Sequence, residues 1–479
     1  MLFNTTAFAV FFAVVFAAYL CVIRWVRLSN ALLLVASWVF YAFWDWRFLG
    51  LLWLSTGVDF WVAKALGRED DPKRRKRLIG TSVAFQLGIL AFFKYTNFLL
   101  ASVEGGLRAL GVDVPTTTLA IVLPVGISFY TFQSLSYTID VYRRKIEPEQ
   151  RLLEFACFVA LFPQLVAGPI ERASHMLPQV AKRRHVGVDR IYGGSFLVLW
   201  GLYKKVFIAD NVARIVDGAF GRSAELTRAE ALVALYAFAL QIYCDFSGYT
   251  DIARGTAKLL GFDFNLNFAR PYLASDPSDF WRRWHISLSS WLRDYLYVSL
   301  GGNRGGPLRT YRNLMLTMLL GGLWHGASWT FVVWGAYHGA LLVGHRLLRE
   351  LRERLWPARE DAVPASIFVR APGRVLAALV MFHLAVLGWL PFPAKSMSEV
   401  ADFVRAALER PGAGEAHGWL YALAIYGGGL ALFELIEELA PSLGKRLPFP
   451  LRGLGYAAIV LAILVAGAPV GQTFIYFQF

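Results

Sequence analysis

The 479-residue sequence predicts an all-α, polytopic integral membrane protein. Composition is the first ground: 57% of the residues are hydrophobic and 17% are charged, against about 25% charged in a soluble domain. The second is a series of apolar stretches, among them 7–23, 78–93 and 453–470, near the roughly 20 residues that a bilayer-crossing helix needs. The third is the placement of Lys and Arg. They cluster in short loops between apolar stretches, as the positive-inside rule produces, so the net charge of +14 reports topology rather than a nucleic-acid partner.

The elements follow in order. The first apolar stretch has no basic residue before it, while Arg24 and Arg27 come after it; it reads as a spanning helix and not a cleavable leader. Spans at 6–24, 31–47 and 48–66 precede the basic loop 68–77. Placing that loop in the cytoplasm with the basic loops 143–151, 172–190 and 346–359 puts Met1 outside and Arg24 and Arg27 inside. Spans at 78–97 and 119–137 join the first two loops. The apolar stretch 152–169 is flanked by basic loops on both sides, so a simple crossing would export one of them. It reads as re-entrant, turning back at Ala167, Gly168 and Pro169. Further spans at 191–209, 229–247, 313–327, 329–345, 375–392, 418–436 and 453–471 bring the total to about twelve crossings, with both termini outside. The chain reads as one transmembrane domain, 1–479, with N-terminal helices to 150, a core at 151–345 and C-terminal helices at 346–479.

Chemistry-bearing residues concentrate in the core. Cys21, Cys157 and Cys244 are far apart in apolar surroundings without metal-type or paired spacing, so neither a metal site nor a thiol nucleophile is expected. The run FWRRWHISLSSWLRDYLY (280–297) has helical periodicity. Trp284, Leu288, Trp291, Leu292 and Tyr295 form an apolar stripe, with Arg282, His285, Ser289 and Arg293 on the opposite one. An interfacial anchor helix has this pattern too. The setting favours more: DPSD (276–279) supplies a start signal, GGNRGG (301–306) a sharp stop, and the arginines suit phosphates. In GGLWHGASW (321–329), His325 lies at membrane depth between glycines. Ionisable residues there mark functional sites, although a neutral histidine hydrogen-bonded to a neighbouring helix satisfies the residues equally well. His338 and His345 share one helix face and read as packing or interfacial. Asp59, Gln133, Asp140, Gln241, Asp245 and Asp251 also lie in apolar segments; singly each reads as a hydrogen-bond partner, but the run 241–251 is dense enough to line a cavity.

These runs, with ArgProTyr at 270–272, LGGNR (300–304), PVGISFYTFQ (124–133), FPQLVAGPI (162–170) and YCDFSGY (243–249), resemble the membrane-bound O-acyltransferase family. Within it they are most similar to the branch containing the membrane subunit of bacterial alginate O-acetylation, over residues 1 to 345. The resemblance implies a helical fold around a central tunnel, a bacterial inner-membrane location, and acetyl transfer from cytoplasmic acetyl-CoA to a hydroxyl on an exported polysaccharide. That transfer is direct or passes through a periplasmic acetyltransferase subunit. His325 matches the family's catalytic histidine and His285 its second polar position, suited to orienting the thioester or stabilising an oxyanion. Arg282, Arg293, Trp324 and Asp245 are the expected substrate-binding residues. Acetyl-CoA is a substrate, and no permanently bound cofactor is implied. The related D-alanyl transfer to a cell-wall polymer shares the WHISLS core. A transporter of polysaccharide or activated sugar is the rival of another class; it lacks the matching halves with interrupted helices that such proteins show.

Overall fold

In the computed structural model, residues 1–115, 118–165, 168–356, 367–441, 443–468 and 474–475 are described, and among them every regular element is helical. The helices are α1 (Thr6–Val22), α2 (Val26–Asp45), α3 (Leu49–Arg68), α4 (Pro72–Ala109), α5 (Ile127–Tyr142), α6 (Leu152–Ala160), α7 (Phe162–Leu165), α8 (Ala173–Ala181), α9 (Val188–Leu202), α10 (Asp210–Gly221), α11 (Arg228–Leu259), α12 (Pro277–Arg283), α13 (Ile286–Trp291), α14 (Pro307–His325), α15 (Trp329–Leu355), α16 (Ile367–Gly388), α17 (Met397–Glu409), α18 (Ala416–Leu439), α19 (Leu443–Arg446) and α20 (Phe449–Ala466). Wide π-helical turns join α9 to α10 (Tyr203–Ala209) and follow α13 (Leu292–Tyr297). Five described stretches are long and apolar enough to cross a bilayer: Val26–Arg68, Pro72–Ala109, Arg228–Leu259, Ala416–Leu439 and Phe449–Ala466. Large apolar side chains such as Val14, Trp61, Leu376 and Leu464 face outward, which suits lipid and would be a liability in water. The chain is a multi-pass membrane protein.

One expectation shifts, and another gains its detail. The span placed at 119–137 is helical only from Ile127, because Gly126 before it adopts φ +76° and the chain ahead of Gly126 is not helical. The apolar stretch 152–169 is broken into helices of nine and four residues, α6 and α7. At 1.5 Å per residue neither reaches across a bilayer. Of its turning residues, Ala167 lies outside the described residues, while Gly168 packs so closely that an added Cβ would fall 2.4 Å from the Gln164 Cα. The ends of the basic loop 346–359 and of the span 453–471 also extend beyond the described residues.

By its internal contacts the chain divides into two compact units: Met1–Val198 with Tyr249–Asn265, and Leu199–Gly248 with Leu266–Phe479. In the first, the buried Asp59 carboxylate gathers the Ser82 hydroxyl (2.5 Å), the Gln86 amide (2.8 Å) and the Ser134 hydroxyl, tying α3, α4 and α5 together. Such satisfied polar contacts hold helices together where lipid removes the hydrophobic drive. Buried Arg75 of α4 donates to the carbonyls of Leu66, Glu69 (2.9 Å) and Tyr142 (2.8 Å), so one guanidinium closes the C-terminal ends of α3 and α5. In the second unit α14 and α15 form an antiparallel pair, with α12 and α16 packed on α15 and the Leu292–Tyr297 turn packed on α14.

Candidate functional site

The α14–α15 turn sets His325. Gly322 and Gly335 let the two helices meet backbone to backbone: a Cβ on Gly322 would lie 2.2 Å from the Phe331 carbonyl oxygen, and one on Gly335 2.4 Å from that of Met318. His325 is the last residue of α14, 5% exposed. Its ring packs against Trp334 (4.9 Å between centroids), Trp324 (5.0 Å) and Phe392 (5.4 Å).

The run 280–297 is not the continuous helix that its periodicity predicts. It is broken at Trp284, which is extended, and at His285, which takes φ +42° and ψ +55°. Two backbone rungs hold the break against the loop ahead of it, from Ile286 N to Asn267 O (2.9 Å) and from Ala269 N to Arg283 O (2.9 Å). The apolar stripe is buried as expected, but the break rotates His285 off the polar face and into the interior, with no exposed surface. There it meets Phe246 edge-on at 4.6 Å, Trp324 at 6.1 Å and His325 at 6.5 Å. Hydrophobic spacing has no signal for this, because the stripe residues stay buried on both sides of the break.

His325 lines a cavity of about 460 Å³. It follows the α14–α15 pair from Trp334 to Arg349, a rise of roughly 20 Å at 1.5 Å per residue. Met318, Thr317 and Gly321 form one wall, Trp281, Leu288 and Leu292 another. At the far end of α15 stand Arg349, with 59% of its side chain exposed, and the half-buried Arg346 and His345; Arg282 and Arg293, each with 66% of its side chain exposed, line the cavity as well. Arg346 donates to Glu350 (2.9 Å) and Asn303 (3.1 Å). Asn303 sits in the glycine loop, whose Gly301, Gly302, Gly305 and Gly306 all have positive φ. That backbone explains the GGNRGG run, since glycine alone adopts it without strain.

The structure thus brings His285 and His325 together, and Arg282 and Arg293 onto the same cavity as His325. Trp324 packs beside both imidazoles and is not a cavity-lining residue. Asp245 does not line this cavity. Its Oδ1 is 2.7 Å from buried Lys205 Nζ, which also pairs with Asp210 at 2.8 Å, and its Oδ2 accepts the Ile475 N–H at 2.7 Å. His338, fully buried, packs on Trp334 and Trp281, as its packing reading expected. Sequence reasoning missed Arg346 and Arg349. Their signal was helical spacing, because positions 334, 338, 342, 345, 346 and 349 fall on one face of α15. Among the described residues no group of His, Cys, Asp and Glu is arranged to hold a metal ion.

A sequence profile of the membrane-bound O-acyltransferase family matches residues 148–372. The chain is 44% identical over 383 residues to the protein of Azotobacter vinelandii named "Probable alginate O-acetylase AlgI", covering 80% of this chain and 73% of that one. It is 42% identical over 401 residues to the protein of that name in Pseudomonas aeruginosa, covering 83% and 73%. To the "Peptidoglycan O-acetyltransferase" of Helicobacter pylori it is 34% identical over 448 residues, covering 87% and 81%.

Proposed function

Because the chain belongs to the membrane-bound O-acyltransferase family, we propose that its two-histidine centre moves an acetyl group from cytoplasmic acetyl-CoA to a hydroxyl of an exported, alginate-like polysaccharide. The chain is an O-acyltransferase of the acetyl-transferring kind. The acceptor class is taken from the names of its relatives, two of which specify alginate and one peptidoglycan. The observation that carries the proposal is the cavity with an imidazole at one end and arginines at the other.

A hydroxyl is a poor nucleophile until a base removes its proton, and a positioned base contributes about 100- to 10,000-fold. In this reading His325 takes the proton, the oxygen attacks the thioester carbonyl, and the tetrahedral intermediate collapses with cleavage of the C–S bond. The proton on His325 then passes to the departing thiolate. The phosphates of the donor rest among Arg282, Arg293, Arg346 and Arg349, whose forked donors suit phosphate oxygens, and the pantetheine arm runs along the cavity. Donor and acceptor arrive from opposite faces of the inner membrane, so the passage continues beyond His325 to the outer face. There the acceptor is either the polymer itself or a periplasmic partner subunit that relays the acetyl group.

The test is His325→Ala in membranes supplied with [14C]acetyl-CoA and alginate oligomers, with insertion verified by fluorescence-detected size exclusion. Loss of acetyl transfer by about 100-fold or more is expected. Undiminished labelling of the oligomers by a well-inserted variant removes His325 as the base.

A further inference from the structure

Asn267 belongs to none of the motifs that mark the two histidines, yet it has no exposed surface and its side-chain oxygen is shared among three hydrogen bonds. It accepts the Ser287 backbone N–H at 3.1 Å and the Ser287 hydroxyl at 2.9 Å, and it lies 3.2 Å from Nδ1 of His285. The backbone of the same residue takes the Ile286 N–H at 2.9 Å. Asn267 therefore grips the chain on the far side of His285 while touching the ring itself. The residue it grips around is one of three non-glycine residues with positive φ among the described residues, a conformation that L side chains adopt only at a cost and that persists where surrounding structure enforces it.

The shared oxygen decides a tautomer. Only an oxygen can accept a backbone N–H, so the Ser287 contact fixes which end of the Asn267 amide faces the ring. An oxygen cannot donate, so the proton between Asn267 and His285 is carried by Nδ1. In a neutral imidazole one ring nitrogen carries the proton and the other the lone pair, which makes Nε2 the basic nitrogen.

We infer that Asn267 is a positioning residue of the reaction centre: it locks neutral His285 with its proton on Nδ1, so that His285 presents the lone pair of Nε2 as a hydrogen-bond acceptor. Stabilising an oxyanion from Nε2 requires a proton there, which this tautomer does not have. The inference rests on the reading of His285 as part of the reaction centre.

The test uses the full-length protein in native membranes with [14C]acetyl-CoA and alginate oligomers, and compares pH profiles of turnover for Asn267→Ala, Asn267→Asp, Ser287→Ala and His285→Ala. Asn267→Ala is expected to lower kcat by about tenfold or more while the KM for acetyl-CoA stays within about twofold. Asn267→Asp keeps an oxygen acceptor for all three contacts but adds a negative charge beside Nδ1, which favours the imidazolium. The acidic limb of its kcat profile is expected to move to higher pH by about one unit or more. Ser287→Ala, which leaves the contact to the ring intact, is expected to keep the wild-type limb. An active Asn267→Asp enzyme with an unmoved limb, or Asn267→Ala with wild-type kcat, overturns the assignment. Full turnover in His285→Ala removes His285 from the centre and Asn267 with it. Loss of turnover in His285→Ala alone, with Asn267→Ala unaffected, leaves the centre standing and removes only Asn267.

Discussion

Glu171 is a carboxylate with no exposed surface, and three donors from two separate segments converge on it. Asn265 gives its backbone N–H at 2.6 Å and its side-chain amide at 2.7 Å, and His175 stands with Nδ1 at 2.9 Å. The hydrogen bond to Glu171 raises the pKa of His175 above its ordinary value, against a smaller opposing effect of burial. A histidine whose folded-state value is raised stabilises the fold fully below the unfolded value near 6.5, and that contribution is lost as pH climbs through the folded-state value. Wild type is therefore expected to melt above His175→Gln at about pH 5.5, with the gap closing by about pH 8.5. Differential scanning fluorimetry of the solubilised protein measures this, and a gap that stays constant or widens with pH contradicts it. Residues of this kind are the least legible in sequence. Glu171 and His175 sit at the start of a basic loop whose charge reads as topology, and their partner Asn265 is distant along the chain. His325 was legible for the opposite reason, because an ionisable side chain inside an apolar run has few structural excuses. His285 stood out as a candidate, but its burial did not: two rungs to Asn267 and Ala269 create it, and pairing across a loop leaves no local pattern.

The α14–α15 hairpin shows what an element contributes beyond its side chains. His325 ends one helix, Trp334 and the cavity-lining Arg346 and Arg349 rise along the other, and the register between them is set by glycine contact at positions 322 and 335. Gly335→Ala places a methyl group 2.4 Å from the Met318 carbonyl oxygen and 3.0 Å from the Leu319 Cα, both backbone atoms that cannot swing aside. The helices must separate, an overpacking cost of about 1–3 kcal/mol. A melting temperature lower by several degrees and a loss of transfer activity without loss of expression are the expected outcome, whereas Gly344→Ala on the same helix, where nothing lies within 4 Å, is the expected neutral partner. Wild-type melting and activity in Gly335→Ala would show that the close approach is not what fixes His325. The glycines themselves were visible in GGLWHGASW, but which helix they admit is a tertiary fact. The face of α15 that carries Arg346 and Arg349 was equally visible as spacing and was passed over because positive charge near a helix end has a ready explanation in topology.

At the scale of the molecule the distribution of charge makes a claim about sidedness that contacts within each unit can be held to. In the first unit Arg75 closes the ends of α3 and α5 through Glu69 and Tyr142, and Arg144 pairs with Asp70 at 2.7 Å, so the loops 68–77 and 143–151 share a side. In the second unit Arg228 N donates to Arg410 O at 2.7 Å and Arg222 pairs with Glu415 at 3.3 Å, which puts the turn before α11 beside the turn before α18. Likewise Arg270 and Arg283 both pair with Glu438, at 2.7 and 3.2 Å, at the other end of α18. Counting crossings from a cytoplasmic 68–77 loop places the first two of these three groups consistently: the basic pair inside and the 222–230 and 410–415 turns outside. The Arg270, Arg283 and Glu438 cluster then returns to the cytoplasm with the arginine end of the cavity. This is the arrangement that the functional proposal requires for a cytoplasmic donor to reach His325, so sidedness can refute that proposal independently of any mutation at the centre. In a Cys21→Ser background, Ala413→Cys and Lys76→Cys both present exposed positions, whereas Cys157 and Cys244 are buried. A membrane-impermeant maleimide is expected to label the cysteine at 413 in intact spheroplasts, and the one at 76 only after lysis. Labelling of 76 alone before lysis would put the arginines on the outer face, where acetyl-CoA is absent, and the donor would have to be sought on the other side of the membrane; labelling of both would break the count of crossings that sets the two groups on opposite sides.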